Sequence, residues 1–221
     1  MIGFVTGLAS EAECLTPLVG HANVQVAGLG LGNAERCARA LIAIGRGPLV
    51  SFGLAGGLSS DLKPGAIVVA ETVITPDGYA YVTDAALGGR LLAALPNAVR
   101  RPIAGSDAIV GSAAAKADLN RRTRAAAVDM ESHQVARVAQ QSGVGFIAIR
   151  AIADPYDKAI PQAALDAVGA DGKPDIARVL AGLAHHPWEL AALIRLASYS
   201  RAAHASLRRV APVVVGSGDR L

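Results

Sequence analysis

The amino-acid sequence predicts an α/β fold, a single-domain three-layer sandwich in which helices cover both sides of a mixed and partly closed central sheet. Short runs rich in Val, Ile and Leu alternate with Ala- and Leu-rich stretches of helical length. Several of the short runs are almost wholly apolar, as expected for strands that are buried on both faces. With 221 residues, 52% of them hydrophobic, the chain can bury one large core, and residues 1–221 are expected to form one domain.

The predicted strands and helices follow one another along the first two thirds of the chain. The clearest strand is the run Phe-Ile-Ala-Ile-Arg-Ala-Ile at residues 146–152, and Gly143 is well placed to end the helix before it. Strands are predicted at residues 2–6, 23–27, 48–54, 66–73, 126–130 and 145–153, and helices at residues 33–44, 113–121 and 132–141.

The character of the sequence changes after residue 154. Prolines and glycines predict a looped passage as far as residue 174. Helices are predicted at residues 175–183 and 187–209, the second forming the core of a C-terminal helix over residues 185–210 with Pro187 in its first turn. Apolar residues recur in it at helical spacing, which favours packing on the sheet; contact with lipid is the alternative.

Composition and charge exclude several classes of protein. The formal net charge is only +3, and the C-terminal arginines are not interleaved with aromatic residues, so a nucleic-acid partner is not expected. The two cysteines, Cys14 and Cys37, and the five histidines lack metal-ligand spacing, so no metal is expected. The N-terminus lacks the basic region of a signal peptide, and no apolar run reaches the roughly 18 residues of a membrane span. These features predict a cytoplasmic protein.

Two glycine-rich segments follow predicted strands. In the first, Gly-Leu-Gly-Leu-Gly-Asn at residues 28–33, the backbone N–H groups around Gly30, Gly32 and Asn33 could bind an anion or a sugar hydroxyl; a tight turn is the alternative. Asn33 stands where a dinucleotide-binding loop would carry its third glycine, so no nicotinamide cofactor is expected. The second segment, Gly-Leu-Ala-Gly-Gly at residues 53–57, lets a ligand approach the backbone near Gly56, unless it is a simple exit from the strand.

Three carboxylates lie at the ends of predicted strands. Asp129 and Glu131 occur in Val-Asp-Met-Glu at residues 128–131, where either could bind a substrate hydroxyl or merely cap the following helix. Asp154 stands where the apolar strand at residues 145–153 stops. It could cap a turn before Pro155, or it could stay protonated in a half-buried crevice and donate its proton to a leaving group.

Taken together and in this order, these segments resemble the purine nucleoside phosphorylases and nucleosidases, a family that includes the methylthioadenosine/S-adenosylhomocysteine nucleosidases. The resemblance runs from Ile2 to about Asp154. Val-Asp-Met-Glu at residues 128–131 is similar to the family's Val-Glu-Met-Glu, and Arg-Ala-Ile-Ala-Asp at residues 150–154 is similar to its Arg-Ala-Ile-Ser-Asp. The resemblance implies a nucleoside phosphorylase-like fold, a purine nucleoside as substrate and a homo-oligomer.

The same resemblance implies roles for individual residues. Asp154 would protonate N7 of the purine as the glycosidic bond breaks, Glu131 would hold the ribose hydroxyls, and Met130 would pack against the sugar. These interactions favour the transition state over the ground state, because the departing base gains electrons while the ribose becomes oxocarbenium-like.

The resemblance also implies roles for residues in two further segments. Ile109 and Val110 correspond to the stretch that lines the base. Glu11 would activate a water molecule, with Glu13 as a rival and a solvated glutamate at a helix start as the alternative.

The later part of the chain is more similar to the hopanoid-associated phosphorylase branch of the family. The similarity lies in residues 153–155, 160–165 and 187–209. It implies that the substrate is adenosylhopane, a lipid-linked nucleoside of hopanoid side-chain biosynthesis, and that adenine is released. A C-terminal helix in peripheral contact with the membrane would suit such a substrate.

The nucleophile is left open by the sequence. Many relatives carry Ser or Thr at the second position of the Gly-x-Ala-Gly-Gly segment, whereas this chain has Leu54, which cannot donate a side-chain hydrogen bond. Phosphorolysis, with inorganic phosphate as co-substrate, would then depend on the backbone of residues 30–33. Hydrolysis needs only water, and no cofactor is expected in either case.

Two other functions stay open beside adenosylhopane cleavage. One is a nucleosidase of the methylthioadenosine/S-adenosylhomocysteine or futalosine type, which would need a compact pocket for the 5′ substituent. The other is a non-catalytic nucleoside-binding relative, which the presence of Asp154 disfavours.

Overall fold

The central feature of the fold is one mixed sheet with helices on both sides. The computed structural model describes residues 1–28, 30–165 and 187–218. In this part of the chain the strands are β1 (Gly3–Thr6), β2 (Val24–Val26), β3 (Leu49–Gly57), β4 (Ile67–Ile74), β5 (Ala80–Val82), β6 (Val99–Gly105), β7 (Ala127–Asp129) and β8 (Phe146–Asp154). The helices are α1 (Ala9–Ala12), α2 (Thr16–Val19), α3 (Asn33–Ala43), α4 (Ala85–Ala94), α5 (Ala113–Thr123), α6 (Ser132–Gln141), α7 (Gln162–Leu165) and α8 (Leu190–Gly218). Short 3-10 segments precede β2 and α8.

The sheet is partly closed into a ring. β3 pairs with β8 in parallel, β8 with β4 antiparallel and β4 with β6 in parallel. β6 pairs in parallel with β7, and β7 returns antiparallel to the last residues of β3, which closes the ring. β1 and β2 extend the sheet beyond β3 in parallel, and β5 adds an antiparallel strand beyond β4. The α/β class and the mixed, partly closed sheet predicted from the sequence are therefore confirmed.

β3 and β8 form the centre of the molecule, because both strands are nearly free of solvent contact along their length. Their alternating side chains point to opposite faces of the sheet, so each strand contributes to two clusters of buried residues. Phe52 and Ile149 belong to the cluster covered by α4 and α8, whereas Leu49 and Ala148 belong to the cluster covered by α3 and α6. The ends of these two strands are consequently fixed from both sides.

Helix α8 packs only its C-terminal half into the core. Leu207, Val210 and Val214 are buried against the sheet, at the spacing of one helix face. No residue between 190 and 202 is buried. The helix was predicted over residues 185–210; it begins at Leu190 and continues to Gly218, with Pro212 inside it. None of the helices among the described residues is long and apolar enough to cross a membrane.

The predicted elements agree with the structure to within one to three residues, with informative exceptions. β3 continues through Gly57, so the second glycine segment is part of a strand and does not follow one. β5, β6 and α4 were missed, because β6 contains two arginines and Pro102, and α4 contains two glycines, which disguise their periodicity. The helix predicted at 175–183 and most of the predicted loop before it lie outside the described residues.

The central position of β8 predicts a large difference between two aliphatic truncations. Ile149→Ala empties a site with no solvent exposure and should lower the free energy of unfolding by about 2–5 kcal/mol. Val82→Ala, at an edge-strand site where the side chain is 77% exposed, should change it by less than about 0.5 kcal/mol. Urea denaturation of both variants measures the two values. Equal losses would contradict the assignment of β8 to the core.

Candidate active site

A cavity of about 270 Å³ opens at the ends of β1, β3, β7 and β8. Its wall combines buried carboxylates with aliphatic side chains, which is the usual character of a site for a small organic ligand. The residues that line it are Gly7, Leu8, Glu11, Leu54, Ala55, Gly56, Ala108, Ile109, Val110, Val128, Asp129, Met130, Glu131, Ala153, Asp154 and Ile160. The cavity therefore brings together all the predicted catalytic and substrate-binding residues.

Glu11 lies buried in α1 with its carboxylate held by backbone N–H groups. Gly7 and Leu8 each donate a hydrogen bond to Oε2 at 2.9 Å, and Leu54 donates one to Oε1 at 2.8 Å. Burial raises the pKa of Glu11, while these donors and the nearby Arg150 oppose the rise. A fixed carboxylate with a raised pKa is suited to accept a proton. Glu13, the rival, is exposed and does not line the cavity.

Two glycines make room for these carboxylates. A Cβ atom on Gly53 would lie 2.7 Å from the carboxylate of Glu11, and one on Gly7 would lie 2.8 Å from Oε1 of Glu131. Both distances are too short for any side chain, so the two carboxylates can approach the sheet only because these positions are glycine. Gly53, the first glycine of the Gly-Leu-Ala-Gly-Gly segment, thus leaves the space that the carboxylate of Glu11 occupies.

Arg150 is the buried cation of the site. Its Nε donates to Oδ2 of Asp129 at 2.7 Å, with both side chains about 1% exposed, and a terminal nitrogen donates to the Ser51 hydroxyl at 2.7 Å. The other oxygen of Asp129 accepts from the backbone N–H of Ser132 at 2.8 Å and thereby caps the start of α6. Asp129 was predicted as a substrate-binding residue; both its oxygens already accept hydrogen bonds from the protein.

Glu131 is a carboxylate with a strongly perturbed ionisation. Burial and the neighbouring Asp129 and Glu11 raise its pKa to about 8, although Arg150, with a nitrogen 3.7 Å from Oε2, opposes the rise. Glu131 therefore retains a proton at neutral pH. In that state it can both donate a hydrogen bond and accept one, which matches a pair of vicinal hydroxyls.

Asp154 ends β8 and faces the cavity beside Gly56. A Cβ atom on Gly56 would lie 3.4 Å from Oδ2 of Asp154, an ordinary van der Waals distance, so this backbone lies directly beside the carboxyl group. Burial raises the pKa of Asp154, while an ion pair with the buried Lys116 of α5 opposes the rise. A carboxyl group with a raised pKa at the edge of an aliphatic cavity is placed to donate a proton to a bound ligand.

Aliphatic side chains form the rest of the wall. Met130 lies next to Glu131, and Ile109 and Val110 come from the loop after β6. Ile109 is 44% exposed, so part of the wall reaches the molecular surface. Ile160 contributes from the loop after β8. The backbone N–H of Ile160 donates a hydrogen bond at 2.8 Å to the carbonyl oxygen of Gly111, which lies in the loop after β6.

The first glycine loop borders a second and much smaller space. Gly30, Leu31, Met130 and Glu131 contribute to a space of about 10 Å³, roughly the size of one water molecule. Gly32, with φ of 77°, precedes α3, and Oδ1 of Asn33 accepts a hydrogen bond from Arg36 at 2.6 Å. The first glycine loop, whose backbone at residues 30–33 was predicted to bind phosphate, therefore adjoins Glu131. The space beside this loop is smaller than a phosphate ion.

Sequence reasoning missed two functional cations, Arg150 and Lys116. Arg150 interrupts the apolar run of β8, which was a signal of a buried ion pair. Lys116 lies three residues before Leu119, which packs against a buried cluster, and therefore stands on an inward-facing helix position. Across the described residues, no group of three or more His, Cys, Asp and Glu side chains is arranged to hold a metal ion.

The raised pKa of Glu131 predicts a pH-dependent stability. A glutamate with a pKa near 4.5 when unfolded and about 8 when folded contributes stability that is complete below pH 4.5 and lost as the pH rises through 8. The urea midpoint of the wild-type protein should therefore fall between pH 6 and pH 9, and Glu131→Gln should reduce that fall. Glu13→Gln, at an exposed site two residues after Glu11, serves as the control and should keep the wild-type slope. An unchanged slope in Glu131→Gln would show that Glu131 is already ionised.

Comparison with known proteins shows which family this chain belongs to. The family model of the Phosphorylase superfamily matches residues 15–184. A futalosine hydrolase mutant of Helicobacter pylori superposes over 100% of this chain and 99% of its own, with a TM-score of 0.71 and 19% identity. The 5′-methylthioadenosine/S-adenosyl homocysteine nucleosidase of Campylobacter jejuni gives the same four values. The S-adenosylhomocysteine nucleosidase of Streptococcus pyogenes matches over 70% of this chain and 84% of its own, with a TM-score of 0.63 and 19% identity.

The sequence match and the shared fold agree with each other. The matched residues include most of the cavity wall, from Leu54 through Met130 to Asp154. This chain belongs to the Phosphorylase superfamily.

Proposed function

We propose that this protein cleaves the N-glycosidic bond of a purine nucleoside. The observation that carries the proposal is the presence, in one cavity, of a carboxyl group suited to donate a proton, Asp154, and a carboxyl group suited to hold a diol, Glu131. Cleavage of a nucleoside requires both tasks, because the base must leave as a neutral molecule while positive charge develops on the ribose.

In the proposed reaction Asp154 transfers its proton to N7 of the purine. The electron pair of the bond between C1′ and N9 moves to the base, which leaves as the neutral molecule, and the ribose carbon becomes oxocarbenium-like. General acid catalysis of this kind contributes about 10²- to 10⁴-fold to a rate. The raised pKa of Asp154 supports this role, since it keeps a larger fraction of the carboxyl group protonated near neutral pH.

Glu131 is proposed to hold the ribose and Met130 to pack against it. The side chain of Glu131 is 18% exposed, and a nitrogen of Arg150 lies 3.7 Å from its Oε2. It is therefore partly free to exchange contacts with the protein for hydrogen bonds to the 2′- and 3′-hydroxyls. The oxygen of Glu131 that accepts a hydrogen bond from a ribose hydroxyl would place partial negative charge near the developing positive charge on the ribose.

Water is favoured over phosphate as the nucleophile by the space beside the first glycine loop. This space of about 10 Å³ is roughly the size of one water molecule and is too small for a phosphate ion. The backbone N–H of Leu54, a donor that could bind an anion, already donates to Glu11 at 2.8 Å. A water molecule that attacks C1′ would transfer a proton to Glu11, the buried carboxylate with a raised pKa.

Replacing the acid tests the reaction itself. Asp154→Asn keeps the size of the side chain but removes its acidic proton, so the rate of purine release should fall by about 10²- to 10⁴-fold. Asp118→Asn, on the exposed surface of α5, should retain the wild-type rate. Release of free base is measured by chromatography, with and without inorganic phosphate.

Each result of that assay decides one point. Release without phosphate supports hydrolysis, whereas strict dependence on phosphate would overturn the preference for water. Full activity of Asp154→Asn would contradict the proposed acid. Absence of any base release by folded wild-type protein would favour a non-catalytic nucleoside-binding role.

For the substrate, we propose adenosylhopane, from which adenine is released. The aliphatic wall of the cavity supports an apolar 5′ substituent, and the exposure of Ile109 gives such a substituent a route to the surface. Loop residues 157–159 immediately precede the wall residue Ile160 and share a pocket with Ala192, Leu196 and Tyr199 of α8. The loop that supplies Ile160 to the cavity therefore also lies against the exposed half of α8.

The exposed half of α8 is proposed to contact the membrane that would hold this substrate. Trp188, Leu190 and Ile194 form an apolar patch at its start, with exposed fractions of 73%, 49% and 59%. The helix carries four arginines and no aspartate or glutamate. An apolar patch beside positive charge is the composition of a helix that lies on an anionic lipid surface.

A second candidate is a nucleosidase for a small nucleoside. The structures that share this fold over the whole chain include a futalosine hydrolase and a 5′-methylthioadenosine/S-adenosyl homocysteine nucleosidase. A cavity of about 270 Å³ is compact enough for a substrate of that size. The two candidates differ in the 5′ substituent and agree in the chemistry at the glycosidic bond.

A substitution in α8 separates the two candidates. Ile194→Ser should lower the rate of adenine release from adenosylhopane in anionic vesicles by about tenfold, because burying one large aliphatic side chain in lipid contributes about 1.5–3 kcal/mol. The same variant should leave release from methylthioadenosine in solution unchanged. Preference of the wild-type protein for methylthioadenosine, or an equal effect of Ile194→Ser on both substrates, would overturn the adenosylhopane proposal.

A further inference from the structure

Helix α5 buries a lysine where an apolar residue is expected. Lys116 has no solvent exposure and is the only buried side chain of α5. The helix is otherwise half-exposed or exposed along residues 113–123. Because an ammonium group is costly to remove from water, a lysine at such a position must be held by compensating interactions.

The ammonium group of Lys116 uses all three of its donors on one short segment. It forms the ion pair with Oδ2 of Asp154, and it donates to the backbone carbonyl oxygens of Pro155 and Lys158 at 2.9 Å and 3.0 Å. All three acceptors lie within five consecutive residues at the end of β8. Lys116 thus connects α5 to the carboxyl group of Asp154 and to the loop that leads to the wall residue Ile160.

We propose that Lys116 is a positioning residue for the acid: it fixes the carboxyl group of Asp154 towards the base and stabilises the carboxylate that remains after proton transfer. This inference rests on the proposed function of the cavity. In the reaction, the proton of Asp154 moves to N7 of the purine and the bond between C1′ and N9 breaks. The resulting carboxylate stays paired with the ammonium group of Lys116, which keeps its own three protons. Solvent returns a proton to Asp154 after the base leaves.

The ion pair has a defined effect on the proton affinity of Asp154. Lys116 lowers the pKa of Asp154 against the larger opposing effect of burial, so the acid is stronger with the lysine than it would be without it. Other charged groups lie on the neighbouring elements, and the charge of Lys116 also acts on one of them, Asp157. These are Glu11 on α1, Asp129 on β7, Glu131 after β7, Arg150 on β8, and Asp157 and Lys158 in the following loop.

The test combines Lys116→Met with a matched control at an exposed lysine, Lys63→Met. In Lys116→Met, kcat for base release should fall by about 10- to 100-fold, with KM changed by less than about threefold. The alkaline limb of the pH profile of kcat/KM should move to higher pH, because the pKa of Asp154 rises when the ammonium group is removed. Lys63→Met should match the wild-type protein in all three values.

A purely structural role for Lys116 would give a different result. Loss of packing alone would lower kcat without moving the alkaline limb. An unmoved limb, or a limb at lower pH, would therefore overturn the proposal.

Thermal unfolding tests the pairing without reference to activity. In Lys116→Met the raised pKa of Asp154 should give stability that is lost as the pH rises, so the deficit in Tm relative to wild type should widen from pH 5 to pH 9. The double variant Lys116→Met/Asp154→Asn lacks both charges and should have a higher Tm at pH 9 than Lys116→Met. Additive losses in the double variant would overturn the pairing. If wild-type protein released no base from any nucleoside, the proposed function would fail, while this cycle would still decide whether the two residues are coupled.

Discussion

The site depends on Arg150, a guanidinium group held almost without solvent contact in the central strand β8. It binds Asp129 at the end of β7 and Ser51 on β3, and its charge acts on Glu11 and Glu131. Three carboxylates around one cation leave an excess of negative charge, and burial gives this excess little screening. The protein relieves it by retaining a proton on Glu131, whose pKa is about 8. The unusual ionisation of the cavity thus follows from burial and from having one cation for three acids.

A second ion pair, between Lys116 and Asp154, keeps the acid at the end of β8 electrostatically distinct from that cluster. Glu11 is held by three backbone N–H groups, whereas Asp154 is held by an ammonium group on a different helix. Carboxyl groups in one cavity can perform different tasks only when their surroundings separate their proton affinities. In this fold the separation is built into different elements, since α1 carries Glu11 and β8 carries Asp154. A ligand that spans the cavity would meet both environments at once.

The sequence predicted the class of the fold from local patterns, whereas the predicted site residues came from the resemblance of residues 128–131 and 150–154 to family motifs. The apolar run of β8 and the glycines of β3 are short, continuous patterns in the sequence, and they indicate where the two central strands lie. β6 was hidden by two arginines and Pro102, which tertiary pairing with β4 and β7 overrides. The partner of Lys116 was also hidden, because Asp154 lies 38 residues away and only the packing of α5 on the end of β8 brings them together. Long-range ion pairs leave no periodic signal in a sequence.

Leu54 illustrates how the backbone can replace a side chain. Its position carries Ser or Thr in many relatives, and its aliphatic side chain predicted a weakened site for an anion. In the structure the backbone N–H of Leu54 donates to Glu11 at 2.8 Å, so the donor at this position is already bound to a carboxylate. The absence of a Cβ atom on Gly53 lets that carboxylate reach it. A group that binds a fixed anion from the protein is not free to bind a second anion from solution. The same contact that weakens a phosphate site therefore orients the residue best suited to accept a proton from water.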